Sequence, residues 1–260
     1  MAYARDRIEA DAKAGIVVNN SDPLKNIRIV LARTSHPGNI GAAARALKTM
    51  GLSELALVNP RQFPHAEADA RSTGAIDVLA RARVCGSLAE ALEGCVLAVA
   101  ASGRHRELRH ETLTVREAAR EVLARAASHP VAIVFGNETA GLTSEEAAHC
   151  QLWAHIPADP GYGSLNVAAA VQIFAYELRM GLSVAATPPA QEFAPATIEQ
   201  VELLREHFER TMRSTGFLDP ANSKRLLRLL RRLLARNRFE VDEVNILRGF
   251  LKSVDELLRK

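Results

Sequence analysis

Five short runs dominated by Ile, Val, Leu and Ala, at residues 27–31, 55–59, 96–101, 131–135 and 152–156, punctuate the first part of the chain. Runs of this length without sustained polar alternation suit strands buried on both faces. Between them, apolar positions recur at helical spacing over residues 40–50, 76–83, 114–127, 144–150 and 167–180. Strands alternating with helices predict an α/β architecture, a parallel sheet covered by helices on both faces. Thr143 with Glu146, and Thr197 with Gln200, have the spacing of capping boxes and mark two helix starts.

The pattern changes twice. Residues 1–26 have no clear periodicity and are expected to form a flexible extension. Residues 185–196 carry Pro188, Pro189 and Pro195 and predict an extended linker. Beyond it, Ile198, Val201, Leu204, Phe208 and Met212 form one helical stripe, and Leu226, Leu229, Leu230, Leu233 and Leu234 a second. Asp219-Pro220 reads as an N-cap with proline at the first helical position. Asp242 is expected to cap a last helix carrying Val244, Leu247, Leu251, Val254 and Leu258. The predicted division is an extension at 1–26, an α/β domain at 27–182, a Pro-rich linker at 183–196 and a small α-helical module at 197–260.

Composition excludes several classes. With 48% hydrophobic and 24% charged residues, wholesale disorder and collagen-like scaffolds are ruled out. No apolar run reaches the roughly 18 residues that span a bilayer, and the first twenty residues lack the apolar centre of a secretory signal. A cytoplasmic protein without a membrane partner is expected. Cys85, Cys95 and Cys150 form no C-x-x-C pair, and Cys150 with His155, or His105 with His110, falls short of a four-ligand metal set. No metal is expected. Charge is uneven: residues 197–260 hold 14 Lys/Arg against 10 Asp/Glu, whereas residues 1–196 hold 19 against 20. A basic module on a near-neutral body suggests a polyanion partner.

Three segments can carry chemistry. His36-Pro37-Gly38-Asn39-Ile40-Gly41 follows the first strand and runs through Ala42, Ala43 and Ala44 to Arg45. It is not the G-x-G-x-x-G fingerprint, and no acidic residue stands at the ribose distance, so a nicotinamide site fits poorly. Read blandly, its glycines make a tight turn, its alanines allow close helix packing and Arg45 is a solvated charge. Phe135-Gly136-Asn137-Glu138-Thr139-Ala140-Gly141-Leu142 opens from the carboxyl end of a buried strand, where open parallel sheets bind ligands. Ile156-Pro157, then Gly161-Tyr162-Gly163-Ser164-Leu165-Asn166, lead into a helix that Ser164 or Asn166 can cap.

Together and in this order, N-x-G-x-x-x-R, F-G-x-E-x-x-G-L and I-P with S-L-N resemble the signature of SPOUT-superfamily RNA 2′-O-ribose methyltransferases of the SpoU/TrmH branch, over residues 27–181. The Leu165-Asn166-x-x-x-Ala170-Val171-Gln172 helix, the segment 217–222 and the segment 242–249 narrow the resemblance to bacterial enzymes acting on C or U at position 32 of the tRNA anticodon loop. The resemblance implies a parallel-sheet domain with a C-terminal trefoil knot, a homodimer, and S-adenosylmethionine held by Ala101, Ser102, Gly103, Gly136, Ile156, Gly163, Ser164 and Leu165. It also implies catalytic roles for Arg45, Asn39, Glu138, Ser164 and Asn166. A guanidinium stays protonated at accessible pH, so Arg45 is expected to stabilise a developing alkoxide and orient the ribose. Arg104 and Arg106, with Lys224, Arg225, Arg228 and Arg232 of the basic tail, are expected to meet tRNA phosphates. Asn137 stands where the family often has Arg, Ala101 where Thr is frequent and Gly163 where Ser is frequent. The competing readings are methylation of another tRNA position or of rRNA, and an RNA-binding module that has lost catalysis.

Overall fold

The computed structural model describes residues 22–102, 112–182, 194–218 and 223–258. Strands β1 (Ile27–Ala32), β2 (Glu54–Val58), β3 (Arg83–Cys85), β4 (Leu97–Ala101), β5 (Thr112–Thr114), β6 (Val131–Phe135) and β7 (Leu152–His155) form one sheet in the order β3-β2-β1-β6-β4-β7-β5. Every pairing is parallel. The body helices are α1 (Pro37–Met50), α2 (Ala66–Ser72), α3 (Ile76–Ala80), α4 (Leu88–Ala91), α5 (Val115–Ala126), α6 (Ser144–Ala147) and α7 (Val167–Gly181). The tail contributes α8 (Ile198–Ser214), α9 (Ser223–Ala235) and α10 (Val241–Leu257).

Strand residues alternate between two cores. Ile27, Ile29, Leu31, Val131, Ile133 and Phe135 join α1, α5 and α7 on one face. Val30, Ala32, Ala98, Ala100, Ala132 and Val134 join α4 and α6 on the other. Burial on both sides is why the strands read as unbroken apolar runs. Small residues on the second face let short helices approach closely. Ile198 at the start of α8 completes that core, a burial that contributes about 1.5–3 kcal/mol.

The five expected strands are present, and β3 and β5 are additional edge strands of three residues each, too short to show a period. The expected 76–83 helix stops at Ala80 because Arg83 turns to pair with Ala56 of β2. The 144–150 helix stops at Ala147. Part of the expected extension is packed: Pro23–Asn26 is a 3-10 turn capped by Asp22, with Leu24 fully buried. The last helix is capped by Glu240 with Glu243, not by Asp242, which falls in its first turn. Asp219 and Pro220 lie outside the described residues, as does most of the Pro-rich segment. Its end is packed, Ala196 N–H donating to Phe239 O at 2.8 Å.

The tail docks through hydrogen bonds as well as Ile198. Ile198 N–H donates to Cys95 O at 3.0 Å, and Gly94 N–H to the Glu199 carboxylate at 2.6 Å. Arg238 pairs with Glu121 of α5 at 3.1 Å, and Arg231 reaches Glu202 on α8 at 3.2 Å. Two arginines of the basic tail are thus engaged in packing.

Candidate active site

α1 begins abruptly because His36 caps it, Nδ1 accepting from Gly38 N–H at 3.2 Å, with Pro37 preset at the first helical position. This brings Asn39 into the first turn. Gly41 serves packing, within the helix and not at a turn: a Cβ there would lie 2.1 Å from Ala68 O of α2.

The loop after β6 is a tight return. Asn137 and Gly141 form a bridge, with Gly141 N–H donating to Asn137 O at 2.8 Å. The Asn137 side chain accepts from Thr139 N–H at 3.0 Å and Ala140 N–H at 3.1 Å, and donates to Arg33 O at 2.8 Å. A Cβ on Gly136 would stand 2.2 Å from Gly141 C and Leu142 N, so only glycine fits. Arg33, at φ 54°, clamps this loop from β1: Nε and Nη2 each reach the Glu146 carboxylate at 2.7 Å, and Nη2 reaches Gly141 O at 2.9 Å. Glu146 is also the capping-box partner of Thr143.

Glu138 is the hub between the motifs. Its carboxylate accepts from Ser35 N–H at 3.0 Å, Ser35 Oγ at 2.8 Å and Asn39 Nδ2 at 2.9 Å. Burial pushes its pKa up, but the Asn39 and Ser35 donors outweigh that and hold it below the ordinary carboxylate value. Asn39 Oδ1 in turn accepts from Asn166 Nδ2 at 3.0 Å. Of the two capping candidates it is Asn166 that caps α7, Oδ1 accepting from Ala168 N–H at 2.9 Å and Ala169 N–H at 3.3 Å.

Beside this chain of contacts lies a cavity of about 330 Å³ at the carboxyl ends of β4, β6 and β7. Ala101, Ser102, Gly136, Glu138, Ile156, Gly163, Ser164 and Leu165 all line it. Phe135, Trp153, Val167 and Phe174 supply an apolar wall, and the Phe135 and Phe174 rings meet edge to face at 5.3 Å. The sequence reading missed this wall, whose residues sit in strands and a helix that read as plain core. It also missed Ser35 and the Arg33–Glu146 clamp.

Not every expected residue gathers here. Arg45 is exposed, makes no ion pair among the described residues and does not line the cavity. It lies six residues beyond Asn39, about 9 Å along the helix and a third of a turn round it. Gly103, Arg104 and Arg106 lie outside the described residues. Lys224, Arg225 and Arg228 are exposed on α9, and Arg232 is half-buried. Among the described residues no group of three His, Cys, Asp or Glu could hold a metal, and no helix is long and apolar enough to cross a membrane. Burial raises the cysteine thiols, Cys95 to about 11 and Cys150 to about 12, which removes thiolate chemistry near neutral pH.

The family model described as the SpoU rRNA Methylase family matches residues 26–176. The chain belongs to the SpoU methylase family. Within it, the model for the C-terminal domain of the tRNA methyltransferase TrmJ matches residues 199–260, the basic helical module. The chain is 47% identical over 247 residues to the tRNA (cytidine/uridine/adenosine-2′-O-)-methyltransferase TrmJ of Pseudomonas aeruginosa (strain UCBPP-PA14), covering 91% of this chain and 96% of that one. It is also 47% identical to the tRNA (cytidine/uridine-2′-O-)-methyltransferase TrmJ of Pectobacterium atrosepticum, covering 90% and 98%. Among solved structures, TrmJ from Z. mobilis ZM4 superposes with a TM-score of 0.79 at 32% identity, over 88% of this chain and 98% of that one. The SpoU methylase match takes in all three motifs and the whole cavity.

Proposed function

We propose that this protein transfers a methyl group from S-adenosylmethionine to the ribose 2′-oxygen of tRNA, at the C or U of position 32 in the anticodon loop. The observation that carries this reading is the hydrogen-bonded chain that joins Asn39, Glu138 and Asn166, one from each of three separate motifs, with Glu138 lining the cavity. The names of the curated relatives support the 2′-oxygen of tRNA as the acceptor.

The cavity fits the cofactor. Its volume lies within the range of about 300–1,000 Å³ typical of small-molecule sites, and it combines an apolar wall with backbone groups from three loops. The glycine at 136 leaves the loop backbone bare where a Cβ would collide. Bound there, S-adenosylmethionine supplies an electrophilic sulfonium methyl. Glu138 already accepts several donors and is held anionic, so it positions Ser35 and Asn39 and is not the acceptor of the ribose proton. Ser164, on the cavity lining, and Asn166 orient the acceptor ribose for in-line attack. Arg45 stabilises charge developing on the 2′-oxygen.

Because Arg45 stands off its own chain's cavity, the active form is a homodimer in which the site is completed between copies. The chain folds as a trefoil knot around the cofactor loops, the division of the chain is a methyltransferase body at 27–182, a linker at 183–196 and a module at 197–260, and the protein works in the cytoplasm. Lys224, Arg225, Arg228 and Arg232, with Arg104 and Arg106, meet tRNA phosphates.

Transfer of labelled methyl to unmodified tRNA, with mapping of the product and an Arg45→Ala control, tests this. A 2′-O-methyl group at position 32 that is lost in the control is expected. Cofactor binding without transfer to tRNA would point to ribosomal RNA instead. Absence of cofactor binding would leave an inactive RNA-binding module.

A further inference from the structure

The loop between Ile156 and Asn166 carries one large side chain that neither the cavity nor a core uses. Tyr162 is 84% exposed, more than any other large hydrophobic side chain among the described residues. An aromatic ring left in water forfeits the free energy of its burial. The backbone holding this ring is nevertheless fixed. Asp159 Oδ1 accepts from Gly161 N–H at 2.7 Å and from Tyr162 N–H at 3.1 Å, and Asp159 O accepts from Tyr162 N–H at 3.1 Å. Pro160 and Gly163, on either side, line the cavity. A pinned turn therefore presents a bare aromatic ring between two residues that line the candidate methyl-transfer site.

The chemistry says what such a ring meets. For the 2′-oxygen to reach the cavity, the target nucleotide must leave its neighbours' stack, and the base it carries loses a stacking partner. Proteins that take bases out of single-stranded RNA replace that partner with an aromatic side chain. Stacking is tolerant of base identity because every base has a π face. Tolerance is what the names of the relatives express, one acting on cytidine and uridine, another also on adenosine.

We propose that the Tyr162 ring stacks on the base of the target nucleotide, selecting an unstacked nucleotide while leaving open which base it carries. The proposal rests on the reading of the protein as a tRNA 2′-O-methyltransferase. It assigns Tyr162 to substrate recognition and leaves the cofactor to the lining residues.

The test pairs a protein change with a substrate change, using the full chain. Tyr162→Ala and Tyr162→Phe are compared with the unaltered protein on full-length tRNA bearing either cytidine or an abasic ribonucleotide at the target position. The abasic unit keeps the 2′-hydroxyl. Tyr162→Ala is expected to lower kcat/KM on the cytidine RNA by about tenfold or more, the scale of one base–aromatic stack. Tyr162→Phe stays near the unaltered protein, and on abasic RNA all three proteins converge. Affinity for S-adenosylmethionine, measured by calorimetry, does not change. An equal loss on both RNAs, no loss on either, or a matching loss of cofactor affinity would each overturn the assignment while leaving the methyl-transfer reading intact. Failure of the unaltered protein to methylate any tRNA would remove both.

Discussion

The side chains of Asn39 and Asn166, 127 residues apart in the chain, meet in a hydrogen bond of 3.0 Å that ties the first turn of α1 to the start of α7. Each amide works at both ends: Asn39 also donates to Glu138, and Asn166 also caps α7. Two substitutions separate these duties. Asn166→Asp keeps the capping acceptor and removes the donor to Asn39, so its melting temperature stays near normal while methyl transfer falls by about tenfold or more. Asn166→Ala removes both and additionally costs about 1 kcal/mol of stability, a drop of roughly 2–4 °C. Thermal melts beside single-turnover rates check this; equal melting losses in the two variants would refute the separation of roles.

Glu146 carries an acid-stability prediction. Burial raises its pKa, but the Arg33 and Thr143 donors outweigh that and hold it below the ordinary carboxylate value. A carboxyl depressed in the folded state stabilises fully above its unfolded value, near 4.3, and loses that contribution as pH falls through the folded value. Stability owed to the clamp is therefore constant from pH 7 to about 5 and declines below about pH 4. Glu146→Gln costs about 1 kcal/mol at pH 7 after allowance for the partly exposed Arg33, and flattens the acid limb of a melting-temperature profile.

His149 sits where the tail meets the body, and burial, with Arg231 adding to it, lowers its pKa below 6.5. Its neutral form is favoured on folding, so the unfolded chain binds more protons just below pH 6.5 and stability rises with pH through that window. Docking of the tail is complete above pH 6.5 and weakens as pH falls from there toward the folded value. Limited proteolysis between pH 7.5 and 5.5 reads this directly. His149→Gln is expected to remove the dependence, and an unchanged profile would show that another group is responsible.

Gly136→Ala tests the cofactor loop. A Cβ 2.2 Å from two backbone atoms cannot be absorbed by a side-chain rotation, so the loop shifts at a cost of about 1–3 kcal/mol. S-adenosylmethionine binding by calorimetry should fall at least tenfold while far-ultraviolet circular dichroism keeps the fold. Retained affinity would place the cofactor elsewhere.

By itself the sequence determined the α/β class, the strands near Ile27, Leu55, Val96, Val131 and Leu152, and the capping boxes at Thr143 and Thr197. These depend on neighbours a few residues away, or on burial of both faces, which leaves an unbroken apolar run. The family resemblance carried by its motifs also singled out Gly136, Ser164 and their companions, which the fold brings together around one cavity. Tertiary structure decided the rest. Arg33 finds Glu146 across 113 residues, and Ser35 finds Glu138 across 103. Gly41 is a glycine because Ala68 of another helix lies against it. Three-residue strands such as β3 and β5 exist only because a neighbouring edge offers hydrogen bonds, and Arg231 and Arg238 looked identical to their exposed neighbours until packing supplied each with a carboxylate. Partners distant in the chain leave no local periodicity to read, so only the closed fold reveals which charges are engaged and which remain for a ligand.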